Sequence, residues 1–143
     1  MELFFETSIE LKIKTYDIDF AGVVSNIVYV RWLEDLRLAM LDKHYPLENQ
    51  LSQGFSPAVL QTRIDYKKAL SLLDPIYGRI WISDIQKIKW MVNLEILHDQ
   101  KVAAFAEQTG LFIDIIRKRP IAIPNDLKVK YETWLNNNII NKS

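Results

Sequence analysis

Residues 8–15 alternate. Ile9, Leu11 and Ile13 point one way, and Glu10, Lys12 and Lys14 point the other. A period of two predicts a strand with one wet face. From about Asn26 the period changes. Val28, Trp32, Leu33, Leu36 and Met40 recur at three- and four-residue spacing, Tyr29 and Leu41 widen the stripe, and Arg31, Glu34, Asp35 and Asp42 fall mostly opposite. This predicts an amphipathic helix, started by Ser25 or Asn26 and stopped by Pro46. Roughly twenty helical residues make a rod of about 30 Å. That is long for a chain of 143 residues, so a sheet is expected to wrap it.

Residues 47–56 read as a connecting loop. Strand patterns follow at Ala58–Tyr66, Ile76–Ile88, Trp90–Leu97 and Val102–Ile116, with a tight turn at His98-Asp99-Gln100. Ala104, Ala106 and Gly110 give the last strand a small-residue face against which a helix can pack. Arg117-Lys118-Arg119-Pro120 ends that strand, and Pro120 and Pro124 set an extended exit. Asn125 or Asp126 caps a short terminal helix through Trp134 or Leu135, and 136–143 read as a frayed tail. The expected unit is therefore a single domain over 1–135. Short links between strands imply antiparallel pairing, and one sheet against one helix makes two layers of an α+β fold. One helix covers only one face of a five-stranded sheet, so a partner subunit is expected on the other. Tyr77, Trp81 and Trp90 are the side chains suited to such an interface, and the expected state is a homo-oligomer, dimer or tetramer.

Composition narrows the classes. The 18 basic and 18 acidic residues cancel, and no basic run stands out, which argues against a nucleic-acid partner. The absence of cysteine removes disulfides, thiolate metal sites and thiol nucleophiles. It fits a reducing, cytoplasmic setting. The N-terminus lacks the pattern of a secretory signal, and no apolar run approaches the length of a membrane span.

The candidate chemistry lies in Tyr16–Arg37, where a strand passes to the long helix through a loop with Asp17, Asp19 and Gly22. A calcium-binding EF-hand reading places Ala21 and Val28 where ligands belong, and the loop follows a strand. A D-x-D-x-[TV] phosphatase reading fails at Ala21 and needs a parallel sheet. A carboxylate beside a helix N-terminus remains. Such an acid can act as a nucleophile or take a proton from water, and the unpaired N–H groups can hold a developing negative charge. The loop acids also have plain roles as turn formers, and Gly22 as the residue that permits an unusual backbone angle. Glu34 and Arg37 are spaced to pair with each other. His44 and His98 lack partners at ligand or triad spacing; His44 suits a helix C-terminus as a cation, and His98 falls in a turn.

The stretch resembles the signature of 4-hydroxybenzoyl-CoA-type acyl-CoA thioesterases, a branch of the hotdog fold. Asp17, Asp19, Gly22 and Val24 match the family's D-x-D-x-x-G-x-V loop, and Tyr29, Trp32, Glu34 and Arg37 match its helix pattern. Val23-Val24-Ser25-Asn26 is similar to the V-V-N-N run of plant acyl-lipid and methylketone-pathway thioesterases. Ile64-Asp65-Tyr66 with Asp74, and Arg119-Pro120 to Pro124, resemble later blocks, whereas Ala69 stands where the family carries proline. The resemblance implies a five-stranded antiparallel sheet wrapped around one long helix, and hydrolysis of an acyl-CoA or acyl-carrier-protein thioester. It implies Asp19 as catalytic carboxylate, the Asn26 backbone N–H as carbonyl polariser and Gly22 as keeper of the loop geometry. Val24, Ser25, Tyr29, Arg117 and Arg119 are then the expected substrate contacts, the two arginines through CoA phosphates. No metal or organic cofactor is implied, CoA being part of the substrate. A hotdog module that binds without turnover is the non-enzymatic alternative. Hotdog hydratases use a catalytic histidine, and none lies near this helix start.

Overall fold

The computed structural model describes residues 2–142. Strand β1 (Thr7–Leu11) leads through a single 3₁₀ turn (Thr15–Asp17) into helix α1 (Asn26–His44). A short helix α2 (Leu47–Ser52) precedes strand β2 (Phe55–Tyr66). Strands β3 (Ile76–Ile85), β4 (Trp90–His98), β5 (Lys101–Asp114) and β6 (Arg119–Ile121) follow, and helix α3 (Asn125–Lys142) closes the chain. The sheet order is β1-β3-β4-β5-β2, antiparallel throughout. β6 pairs with β5 from Phe112 to Asp114, beyond the last β4 partner at Gly110, so it continues the line of β4. The expected five strands thus gain a three-residue sixth.

The seven apolar positions read from the helical period, Val28, Tyr29, Trp32, Leu33, Leu36, Met40 and Leu41, are the buried residues of α1. They lie on the sheet face built by Ile76, Ile80 and Ile82 of β3 and by Trp90, Val92, Leu94 and Ile96 of β4. Burying a side chain as large as Leu33 or Leu36 stabilises by about 1.5–3 kcal/mol each. The helix comes closest at Gly78, where an added Cβ would stand 2.7 Å from Leu36 Cδ1. Gly110, expected to admit the helix, instead admits an indole: a Cβ there would lie 2.1 Å from the Trp90 ring and 2.3 Å from the Ala58 carbonyl.

Three expectations are corrected here. The stretch 47–56 is not a plain loop, because Leu47–Ser52 makes a short helix that buries Gln50, whose amide donates to the Tyr45 carbonyl at 2.8 Å. The tail expected to fray from 136 is helical to Lys142, and Ser143 lies outside the described residues. Its polar run is compatible with helix because Asn138 Nδ2 donates to the Trp134 carbonyl one turn back, at 2.7 Å. Trp134 itself stacks on Tyr131 and leans on Phe4. Trp90 is not an interface residue; it is buried on the helix side, with its indole N–H donated to the Leu111 carbonyl at 3.1 Å. On the outer sheet face Trp81 is half-buried under the Arg79 guanidinium, which also binds Glu6 and Glu95, while Tyr77 is exposed. No described helix is long and apolar enough to cross a membrane.

The Gly110 contact gives a stability prediction. Gly110→Ala should lower stability by about 1–3 kcal/mol, as overpacking does, at the upper end because one obstacle is a backbone carbonyl. Thermal denaturation followed by tryptophan fluorescence measures it; an unchanged melting temperature would mean that Trp90 repacks freely.

Candidate active site

The loop between β1 and α1 is a small closed structure. Asp17 is buried and its Oδ2 accepts the Lys14 N–H at 2.8 Å, so this acid shapes the turn, as the plain reading of it expects. Ile18 and Val24 form an isolated antiparallel bridge. Within it the Asp19 N–H donates to Val23 at 2.9 Å and the Gly22 N–H to the Asp19 carbonyl at 3.0 Å. Gly22 has φ +81° with open space around it, so backbone angle and not crowding requires glycine. Two bonds fix the foot of the loop: Ser25 N–H to the Asp17 carbonyl, and Val24 N–H to the Leu70 carbonyl, each 2.9 Å.

Asp19 is half-exposed, and its Oδ1 accepts the Ala21 N–H at 2.8 Å. That bond is an Asx-type turn and leaves Oδ2 without a partner among the described residues. Ser25 is the N-cap of α1, with extended backbone, but its side chain makes no capping bond. The Ser25 carbonyl is taken by Val28 N–H at 3.0 Å. Among the described residues neither Asn26 nor Ile27 N–H meets an acceptor, so the positive end of the helix opens beside the loop that carries Asp19. An acid and two unpaired donors are what addition of water or carboxylate to a carbonyl needs.

The other expected residues fall in different places. Ser25 lies at the helix start, half-buried. Val24 and Tyr29 are each only 3% exposed, and their side chains belong to the core. The motif marks their positions, and the helix phase turns both inward. Tyr29 packs edge-to-face against Tyr66 at 5.0 Å. Burial, and then the nearby Tyr66, raise the Tyr29 phenol above its usual pKa. The Tyr66 O–H donates to the Asn26 carbonyl at 3.4 Å, so β2 supplies an exposed aromatic beside the helix start. Sequence reading caught Tyr66 only as part of a weak motif. Arg117 and Arg119 are exposed in the β5–β6 turn and at the start of β6. Tyr66 pairs with Ala104, and the turn follows Asp114; ten strand residues separate these points, about 33 Å. One protomer therefore does not bring the two arginines to its own helix start.

Glu34 and Arg37 do pair, at 3.7 Å, but Arg37 also reaches inward to Gln108 Oε1 at 3.0 Å, and Gln108 Nε2 donates to Thr62 Oγ1 at 3.2 Å. Both histidines have structural contacts. His44 stacks on Phe5 at 4.7 Å, and burial, the largest cause, lowers its pKa, so at neutral pH it is uncharged and does not serve the helix dipole. His98 is buried, with Lys68, Asp74 and Asp99 around it. Period two carried from Trp90 through Ile96 places His98 on the inner face, a signal available in the sequence. No group of three potential metal ligands gathers among the described residues.

The sequence model of the thioesterase-like superfamily matches residues 13–131. No curated protein matches the chain. Among solved structures it is similar to a DHNA-CoA thioesterase from Staphylococcus aureus, at TM-score 0.81 and 18% identity, over 96% of this chain and 93% of that one. It is also similar to Slr0204, a 1,4-dihydroxy-2-naphthoyl-CoA thioesterase from Synechocystis, at TM-score 0.75 and 19% identity, over 86% and 93%. A third, the gentisyl-coenzyme A thioesterase BH1999, gives TM-score 0.77 and 15% identity, over 85% and 99%. At such identities the likeness establishes the fold, and the fold is the hotdog fold.

The half-buried His44 imidazole sets a pH dependence of stability. A pKa below that of the unfolded chain, about 6.5, means that the unfolded state binds more protons as pH falls. Wild-type stability should therefore decline from pH 7 to pH 5. His44→Phe, which keeps a ring against Phe5, should show a smaller decline in urea titrations at the two pH values; equal declines would remove His44 as their source.

Proposed function

The chain belongs to the thioesterase-like superfamily, whose reaction class is thioester hydrolysis, and within it we propose that this protein cleaves an acyl-CoA thioester to free acid and CoA with Asp19 as its catalytic carboxylate. The observation that carries the proposal is the uncapped start of α1, with Asn26 and Ile27 N–H unpaired beside an acid that has one unpartnered oxygen. The thioester carbonyl oxygen accepts those N–H groups, which then hold the negative charge of the tetrahedral intermediate. Two routes use Asp19 Oδ2. As a general base it takes a proton from water while the water oxygen bonds to the carbonyl carbon; the C–S bond then breaks and the CoA thiolate leaves, gaining a proton. As a nucleophile it bonds to that carbon itself, expels the thiolate and forms a mixed anhydride that water cleaves.

CoA is favoured over a carrier protein because the three solved relatives above are named for CoA thioesters. A module that binds without turnover is disfavoured by a free carboxylate at this joint, which binding alone does not require. We propose further that the protein is a homo-oligomer. Among the described residues the outer edge of β2 has no strand partner, and Val59, Leu60 and Tyr66 on that strand are exposed. Phe20 and Ile27 near the site are exposed as well. A second copy paired along β2 covers a bare edge that otherwise invites aggregation. Arg117 and Arg119 serve the CoA phosphates from such a neighbouring protomer.

Asp19→Asn keeps the shape and removes the anion. It should lower kcat by at least ~100-fold on the best thioester of an acyl-CoA panel, with fold and oligomer unchanged. Retained turnover would remove this loop as the active site. In a single turnover in heavy-oxygen water, label in the enzyme marks the nucleophilic route and label only in the acid marks the general-base route.

Replacing Arg117 and Arg119 together with Ala should raise KM and leave kcat nearly unchanged, because phosphate contacts strengthen ground-state and transition-state binding alike. Identical KM values and identical salt dependence would leave these arginines as a solvated turn.

A further inference from the structure

The segment 67–75, between β2 and β3, has no regular structure, yet it is held at several points. β2 is an edge strand and β3 lies on the far side of β5 and β4, so this segment must cross the ends of both. At its start Lys67 and Lys68 both donate their backbone N–H to the Ala103 carbonyl, at 2.9 and 3.0 Å. Ala103 is the extra residue of a bulge in β5, where the β4 register shifts between Ile96 and Leu97. In the middle Leu70 is fully buried, and its carbonyl takes the Val24 N–H at the foot of the Asp19 loop. At its end Asp74 Oδ2 accepts the Ser71 N–H at 2.8 Å and closes a turn around Leu73, which has φ +81°. A branched-chain residue at that angle persists only where its surroundings hold it.

His98 joins the start of this segment to its end. Its Nδ1 lies 2.9 Å from Lys68 Nζ. An ammonium can only donate, so Nδ1 accepts and the ring proton sits on Nε2. Nε2 faces Asp99 Oδ2 at 3.4 Å and Asp74 Oδ1 at 3.7 Å. The ring is buried at the inner end of β4, below the residues it joins.

We propose that His98 is a positioning residue for the candidate active site: it binds the Lys68 ammonium, stands against Asp74, holds the crossing segment in place, and through the Leu70 carbonyl fixes Val24 and the loop that bears Asp19. The proposal rests on the thioesterase reading for its effect on rate. Its structural half, the link from His98 to Val24, stands apart from that reading. The chain of contact runs from Lys68 and Asp74 to Leu70, then by one backbone hydrogen bond to Val24, two residues before the unpaired N–H of Asn26. A displacement of the loop by about 1 Å is enough to cost a large factor in a reaction that depends on alignment.

The test uses the full-length protein and four variants: His98→Leu, His98→Asn, Lys68→Met and Asp19→Asn. Asn keeps an acceptor where Nδ1 stood, whereas Leu keeps bulk without one. Lys68→Met removes the ammonium from an exposed position, where folding is not at risk. Two quantities are read in each: kcat and KM on the best acyl-CoA, and the exchange rate of the Val24 amide by NMR. His98→Leu and Lys68→Met should lower kcat at least ~10-fold with little change in KM and should speed Val24 exchange; His98→Asn should recover most of both. Unchanged Val24 exchange in His98→Leu and Lys68→Met overturns the proposal. Faster exchange with unchanged kcat also overturns it, and the Asp19→Asn control then shows which idea fails: an inactive Asp19→Asn leaves the thioesterase reading standing, and an active one removes both.

Discussion

The burial of one stripe of α1 in the sheet is the constraint on which the rest of this molecule depends. Leu33 and Leu36 have almost no exposed surface, and Gly78 keeps the space that Leu36 fills. With a helix of 19 residues seated this deeply, the position of its first turn is set by packing far from that turn. The sheet thus decides where the Asn26 and Ile27 N–H groups stand. The loop before the helix needs only to present a carboxylate to them, and it does so with a handful of backbone bonds. A Ser25 side chain that capped the helix would typically stabilise by about 1 kcal/mol, but it would occupy a donor that stands free here.

What was legible in the sequence is what periodicity reports. The helical stripe was read residue for residue, and β1, β3, β4 and β5 were found within a few residues, because one buried face imposes a period. The loop's closure around Gly22 follows from the residue type. Direction was less legible than position. Val24 and Tyr29 stand where the motif places them but point into the core, since a motif records which residues occur and not where their side chains turn. Distance was not legible at all. Arg117 and Arg119 follow the strand that pairs with Tyr66, yet the strand's length carries them to the other end of the sheet. His98 was read as a turn residue because its partners, Lys68 and Asp74, lie more than twenty residues away and meet it only when the segment crosses the sheet end. The helical extension to Lys142 had no apolar period to announce it.

Polar contacts between the layers divide in two kinds. Arg37, Gln108 and Thr62 form a chain that joins the middle of α1 to β5 and β2. An apolar stripe alone resists removal from the sheet better than it resists sliding along it. A directional contact under the helix gives the packing a register. Lys68, His98 and Asp74 stand together at the sheet's end, where the loop bearing Asp19 is tied. The two lie on opposite sides of the same problem, which is to hold a carboxylate and two amides still relative to each other although they belong to a loop and a helix.

The sheet order has a consequence for how the chain reaches this state. β3, β4 and β5 are successive neighbours joined by short turns, one of them the two-residue turn Asp99-Gln100 with both φ values positive. Such a meander closes over short stretches of chain and forms early. β2 must find β5 across the whole meander, and β1 and α1 must wait for the face they pack on. We therefore hypothesise that the loop bearing Asp19 is assembled in the last folding step, when Leu70 settles and meets Val24. Mutations in the β4–β5 hairpin should then slow folding, and those around Val24 and Leu70 should mainly speed unfolding, a division that chevron analysis would reveal or refute. A folding chain would carry most of its sheet before the loop bearing Asp19 was set, and the uncovered flank of β5 would be its most adhesive surface in that interval.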